Sequence, residues 1–137
     1  MDYTTIITAL GLGGVIGALV KHWLDNKQKL NTQLNQINEE KYRILLIHMS
    51  CALDINNRKY FSIKKDYETD TQEYYINCVK EYYYNTLLYS PDFVVRNLKK
   101  FIENPNKENY INVAKSMRTD LWGKKTKLTI DELLLKN

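Results

Sequence analysis

The side chains best suited to chemistry in this chain are the Lys and Arg residues of its last third. Nine of them occur between residues 96 and 127 against three acidic residues, an excess of six positive charges. Cations of this kind donate charge-assisted hydrogen bonds to phosphate, and an indole ring can stack on a base. The pattern predicts a phosphate-binding site whose candidate residues are Lys115, Arg118, Trp122, Lys124, Lys125 and Lys127.

Two observations bear on this predicted site. Lys115 and Arg118 are three residues apart, so on a helix they share one face. Lysine-rich surfaces are common, however, and the same cluster is also typical of a solvated face or of attraction to an anionic membrane leaflet. Both interpretations stay open at this point.

The sequence predicts no catalytic residue, no metal site and no cofactor. No glycine occurs between residues 18 and 122, which excludes a glycine-rich phosphate loop there, and neither a nucleophile elbow nor an H-E-x-x-H motif is present. The two histidines, His22 and His48, are too few for most metal or acid–base schemes. Cys51 and Cys78 lie in apolar stretches and are predicted to be buried thiols rather than a disulfide. The chain is therefore predicted not to be an enzyme.

The N-terminal segment 1–24 is predicted to be a single transmembrane anchor. Residues 3–20 carry no charge, and 18 helical residues span about 27 Å, close to the thickness of a hydrocarbon core. Lys and Arg follow this segment, whereas only Asp2 precedes it besides the terminal amine. The positive-inside rule then predicts a single-pass protein with its N-terminus outside and its C-terminal domain in the cytoplasm.

Small residues inside this segment predict helix self-association. Residues that recur every four positions place small side chains on one helix face, which lets two helix backbones approach closely. Simple tolerance of glycine in a membrane helix is the alternative. The predicted helix-association residues are Ala9, Gly13, Gly14, Gly17 and Ala18.

The elements that must position the basic cluster are predicted to be helices, which makes the fold class all-α. Residues 25–41 read as a helical stalk with a weak seam at Leu30, Leu34, Ile37, Lys41 and Ile44. Residues 42–137 read as a small cytosolic helical bundle. Its helices are predicted over 42–53, 71–89, a segment that begins at Ser90-Pro91 and ends at Asn104-Pro105, 107–121, and a short C-terminal helix capped by Thr129 and Glu132.

The closing segment, MRTDLWGKKTKLTIDELL at 117–134, resembles small single-pass bacterial membrane proteins of phage-defence islands. The layout of the whole chain resembles the CRISPR-associated membrane effectors gated by cyclic oligoadenylate. This resemblance implies a type III CRISPR accessory protein that acts in antiviral defence at the bacterial inner membrane. The protein would form a homo-oligomer, bind a cyclic oligonucleotide second messenger and signal to the membrane, with membrane lipid as a second partner. No long nucleic acid is expected as a partner. The alternative is a non-enzymatic membrane scaffold or superinfection-exclusion protein without a nucleotide ligand.

Overall fold

A computed structural model describes residues 3–61 and 71–135, with side chains described from Gly14 onward within those ranges. Every regular element of this described part is helical, as the sequence predicts. The chain divides into two compact units, Met1–Gln36 and Ile37–Asn137. Besides one 3₁₀ turn at Ile55–Tyr60, the elements in chain order are α1 (Tyr3–Leu53), α2 (Gln72–Tyr89), α3 (Asp92–Glu103), α4 (Lys107–Trp122) and α5 (Ile130–Leu133).

The predicted transmembrane anchor is corrected by this structure. Over the described residues, none of the helices offers an apolar stretch long enough to cross a membrane. The transmembrane anchor over residues 1–24 and the single-pass inner-membrane location with a cytoplasmic C-terminal domain are therefore wrong predictions.

From Gly14 onward, helix α1 is exposed in its first part and buried on one face in its second part. Every side chain from Gly14 to Ile37 is exposed, and burial begins at Asn38. From there one face of α1 enters the core of the larger unit through residues spaced three or four apart, namely Asn38, Tyr42, Leu45 and Met49. This spacing places them on a single helical stripe, which is how an amphipathic helix covers a core.

The core of the larger unit joins four helices. Helix α3 packs against both α2 and α4, and its buried residues Val94, Leu98 and Phe101 follow helical spacing. The remaining members of the main cluster come from the other three helices: Tyr42, Leu45, Met49, Val79, Val113 and Met117. Removal of this apolar surface from water is the main favourable contribution to folding of the unit.

Local side-chain chemistry sets most helix ends where the sequence predicts them. The Thr71 hydroxyl accepts a hydrogen bond from the Tyr74 amide and caps α2. Thr129 and Glu132 form a capping box at α5. Gly123 ends α4 with φ of 69°, a left-handed conformation that glycine adopts without a steric penalty.

Helix α3 begins one residue later than the sequence predicts. Pro91 occupies the N-cap position instead of the first helical position, and the helix starts at Asp92. The Pro91 carbonyl accepts a hydrogen bond from the Val94 amide. The Ser90 hydroxyl, predicted to cap this helix, instead lies 2.9 Å from the Tyr42 hydroxyl of α1. The Ser90 side chain therefore makes a tertiary contact with Tyr42 instead of the capping hydrogen bond that the local sequence pattern predicts.

Candidate functional site

A groove of about 740 Å³ in the larger unit is the candidate functional site. Two helices form its walls: α1 through residues 39–47 and α4 through residues 110–122, with one residue each from the 3₁₀ turn region and α5. Its volume lies within the range of roughly 300–1,000 Å³ typical of small-molecule sites. The apolar and aromatic residues that line it are Tyr42, Leu46, Ile47, Phe61, Tyr110, Ile111, Ala114, Met117, Leu121, Trp122 and Leu133.

Four charged side chains among the described residues line the same groove, and their charges are unbalanced. Arg43 on α1 and Lys115 and Arg118 on α4 are cationic, and Glu39 is the single carboxylate of the described lining. Both salt bridges found among the described residues lie elsewhere, on the exposed surface of α3. The groove therefore combines apolar walls with a net positive charge, which suits a ligand that has a flat apolar part and an anionic part.

Trp122 is held at the groove by a cation–π contact. The Arg118 guanidinium lies 3.9 Å from the centroid of the Trp122 ring, within the distance at which a cation is attracted to the face of an indole. The two residues are four apart on α4, so helical geometry brings them together. This contact orients a donor-rich guanidinium and an aromatic surface toward the same space.

A polar cluster fixes the two groove walls to each other. The Tyr42 hydroxyl lies 2.7 Å from Asp120 Oδ2 and 2.9 Å from Ser90 Oγ. Because a phenol has one proton, Tyr42 donates to the carboxylate and accepts from the serine. Asn38 Nδ2 donates to the Tyr89 carbonyl at 2.9 Å and to Asp120 at 3.3 Å. The cluster therefore sets the register of α1 against α4.

Burial changes the acid–base properties of two tyrosines near the groove. Removal from water raises the pKa of Tyr42, and its contact with the Asp120 carboxylate raises it further. Burial also raises the pKa of Tyr110. Both phenols are therefore held in their protonated, neutral form, and Tyr42 keeps the proton that it donates to Asp120.

The structure brings together three of the six residues that the sequence predicts for phosphate binding. Lys115, Arg118 and Trp122 all line the groove. The other three, Lys124, Lys125 and Lys127, are exposed in the segment between α4 and α5 and do not line it. The reason is local: the left-handed Gly123 ends α4, so the chain leaves the helical face that carries Lys115 and Arg118.

The predicted helix-association residues lie in α1, outside the groove. Ala9 and Gly13 fall outside the residues whose side chains are described. Apart from adjacent residues and the nearby backbone of α1 itself, no atom lies within 4 Å of the position that a Cβ of Gly14 or Gly17 would take, and Ala18 is exposed. Self-association through this face stays a prediction.

Sequence reasoning missed the contribution of α1 to the groove. Glu39 and Arg43 are separated from Lys115 by more than 70 residues, and they lie in a stretch of mixed charge, residues 39–43, that has no net charge. Their spacing of four residues, continued by Leu46 and Ile47, was the available signal. It indicates that these four residues share one face of a helix.

His48, Cys51 and Cys78 do not line the groove. Over the described residues no group of three or more His, Cys, Asp or Glu side chains is close enough to hold a metal ion. His48 is half-buried between the rings of Tyr75 and Tyr82. Cys51 is buried and Cys78 half-buried, and both are thiols.

No protein-family model matches the chain, and no curated protein and no solved structure is similar to it. The resemblance to cyclic-oligoadenylate effectors therefore stays a prediction from the sequence.

Proposed function

We propose that this chain is a non-enzymatic binding protein for a nucleotide-type ligand, with a cyclic oligonucleotide second messenger as the ligand class. The groove between α1 and α4 is the binding site. One observation carries the proposal: three cations converge on apolar and aromatic walls in a groove with room for a small molecule. Apolar walls with a few placed polar groups are the usual composition of a ligand site.

Each part of the groove has a role in this proposal. Lys115 and Arg118 donate charge-assisted hydrogen bonds to phosphate oxygens, and Arg43 contributes from the opposite wall. The aromatic rings of Trp122 and Tyr110 offer surfaces on which a base can stack. The single carboxylate, Glu39, can accept hydrogen bonds from the exocyclic amine of a base or from a ribose hydroxyl.

Calorimetry with the full chain tests this proposal. The ligand panel is cyclic tri-, tetra- and hexa-adenylate, cyclic dinucleotides and adenosine monophosphate. Lys115→Glu combined with Arg118→Glu removes two charge-assisted contacts of about 1.5–3 kcal/mol each. The affinity for the bound member should fall at least a hundredfold, because about 1.4 kcal/mol corresponds to a tenfold change.

The matched control is Lys124→Glu combined with Lys125→Glu. It reverses the same amount of charge in the same basic stretch but outside the groove. Exposed charges at a distance are screened by salt, so the control should change affinity by no more than a few-fold at physiological ionic strength. Equal effects of both double variants, or binding of none of the panel, would contradict the nucleotide proposal and favour a scaffold without a nucleotide ligand.

A further inference from the structure

The described residues after Gly123, residues 124–135, form a C-terminal arm that contributes to one wall of the groove. Leu133 of α5 lines the groove together with Leu121 and Trp122 at the end of α4. The groove keeps its volume of about 740 Å³ with Leu133 in place, so a ligand can enter it without displacing the arm. The Trp122 ring is 60 % exposed, and the arm therefore leaves most of this ring uncovered.

Within the described residues, apolar contacts alone hold the arm to the rest of the larger unit. Each hydrogen bond of the arm there joins two residues of the arm itself: Thr129 with Glu132, Leu134 with Ile130, and Leu128 with Thr126. Both salt bridges of the same residues lie on α3. Apolar contacts are not directional, so the arm can shift without leaving a buried polar group unpaired.

Little burial stabilises the arm. No residue of α5 is buried, whereas the two main walls of the groove, α1 and α4, bury Tyr42 and Met117 in the core. An isolated helix shorter than about 12 residues is marginal in water, and α5 has only four residues. It therefore depends on its capping box and on the partial burial of Leu133. Segments with few buried apolar contacts open at the lowest free-energy cost, so the arm is the part of the groove wall that opens most readily.

Gly123 is the point about which the arm can turn. Its φ is 69°, and apart from its two neighbours no atom lies within 4 Å of the position that a Cβ would take. Glycine has the widest range of backbone conformations, and hinge residues must absorb changes in φ and ψ. We propose that the arm is a lid that turns about Gly123 and closes over a ligand in the groove.

A ligand favours the closed lid because it extends the apolar surface of the groove. A flat aromatic group stacked on Trp122 places new apolar surface beside Leu133, which is only half-buried in the free chain. Closure then removes the remaining apolar surface of Leu133 from water, which is favourable. The lid rests on the proposed function only in that the groove binds an aromatic anion, and it does not require that this anion is a nucleotide.

Amide hydrogen exchange of the full chain, measured by nuclear magnetic resonance, tests the lid. The probe is anilinonaphthalene sulfonate, a dye with flat apolar rings and an anionic group. Its binding at the groove is the part that Lys115→Glu combined with Arg118→Glu removes. In the free chain, after correction for intrinsic rates, the amides of α5 should exchange at least about a hundredfold faster than those of Val113 and Met117 in α4. Dye at ten times its dissociation constant should slow the exchange of α5 about tenfold if it binds only under the closed lid.

Two leucine variants separate the lid from other effects of the dye. Leu133→Ser removes the apolar side chain at the groove, so it should abolish the slowing of exchange and raise the dissociation constant of the dye about tenfold. Leu135→Ser is the matched control, because Leu135 is 91 % exposed and does not line the groove; it should behave as the wild type.

Three results would overturn the lid: exchange of α5 in the free chain as slow as that of α4, absence of dye binding at the groove, or dye binding that leaves the exchange of α5 unchanged or accelerates it. A chain whose lid closes on the dye but that binds no member of the nucleotide panel would support the lid and refute the nucleotide as its ligand. Failure of the lid and failure of the proposed function are therefore distinguishable.

Discussion

Replacement of Tyr42 by Phe tests the polar cluster that joins α1 to α4. The change removes one hydroxyl and keeps the buried ring. The hydroxyl donates to the Asp120 carboxylate at 2.7 Å, and Tyr42 is only 2 % exposed, so water cannot take its place without rearrangement. A hydrogen bond to a charged group contributes about 1.5–3 kcal/mol. Asn38 still contacts Asp120 at 3.3 Å, which limits the loss.

We therefore expect Tyr42→Phe to lower the free energy of unfolding by about 2 kcal/mol, or the melting temperature by about 10 °C for a unit of this size. Urea titration followed by circular dichroism measures the first quantity. Tyr84→Phe is the matched control, because it removes the hydroxyl of an exposed tyrosine and should change stability by less than about 0.5 kcal/mol.

A double-mutant cycle with Asp120→Ala separates this hydrogen bond from other effects of the change. The coupling energy between the two sites should be at least about 1 kcal/mol. The assigned role of the cluster would be refuted if Tyr42→Phe lowered the free energy of unfolding no more than Tyr84→Phe does. A coupling energy near zero would refute it as well.

Two further predictions concern alkaline stability and the end of α4. Burial raises the pKa of Tyr42 and Tyr110 in the folded chain, whereas an unfolded tyrosine ionises near pH 10. The stability that the folded chain gains from these two neutral phenols is therefore complete below about pH 10 and is lost as the pH rises above it. Urea titrations at increasing pH should show that the free energy of unfolding falls above about pH 10. The Tyr42→Phe variant should show a smaller fall of this free energy per pH unit than the wild type. An equal fall in both proteins would contradict the role of Tyr42. Gly123→Ala should lower stability by about 1 kcal/mol because φ is 69° there, measured by thermal melting. Gly17→Ala, in the interior of α1, should not lower it, and equal losses at both glycines would refute the conformational explanation.

Helix ends were largely predictable because short-range chemistry decides them. Thr71 and the Thr129–Glu132 pair cap their helices through contacts within three residues, and Gly123 ends α4 through its own backbone conformation. The start of α3 was not predictable to the residue, because the hydroxyl of Ser90 contacts Tyr42, 48 residues away. A local sequence pattern cannot show that a distant residue will compete with the helix end for the Ser90 hydroxyl.

The predicted membrane anchor failed for a different reason: it relied on an absence of charge along one segment. A segment without charged residues is not necessarily hydrophobic enough, over a sufficient length, to cross a bilayer. No helix among the described residues has an apolar stretch of that length.

Half of the candidate site could be predicted from the sequence. Lys115, Arg118 and Trp122 share a helix, and periodicity alone places them on neighbouring faces. Lys124, Lys125 and Lys127 are close to them in sequence but not in the groove, because the helix has ended. Glu39 and Arg43 are distant in sequence yet line the same groove. Their contribution depends on how α1 packs against α4, which no local pattern contains.

The long sequence separation across the groove also bears on the order of folding. Helices α2, α3 and α4 follow one another along the chain, so their contacts close short loops at small entropic cost. The contacts between α1 and α4 close much longer ones: Tyr42 reaches Asp120 across 78 residues, and Asn38 reaches it across 82. Contacts of such separation close long loops at a large entropic cost and slow folding. We therefore expect the groove to be the last part of the larger unit to assemble. A molecule that bound both walls would then stabilise the contacts that are the most costly to form.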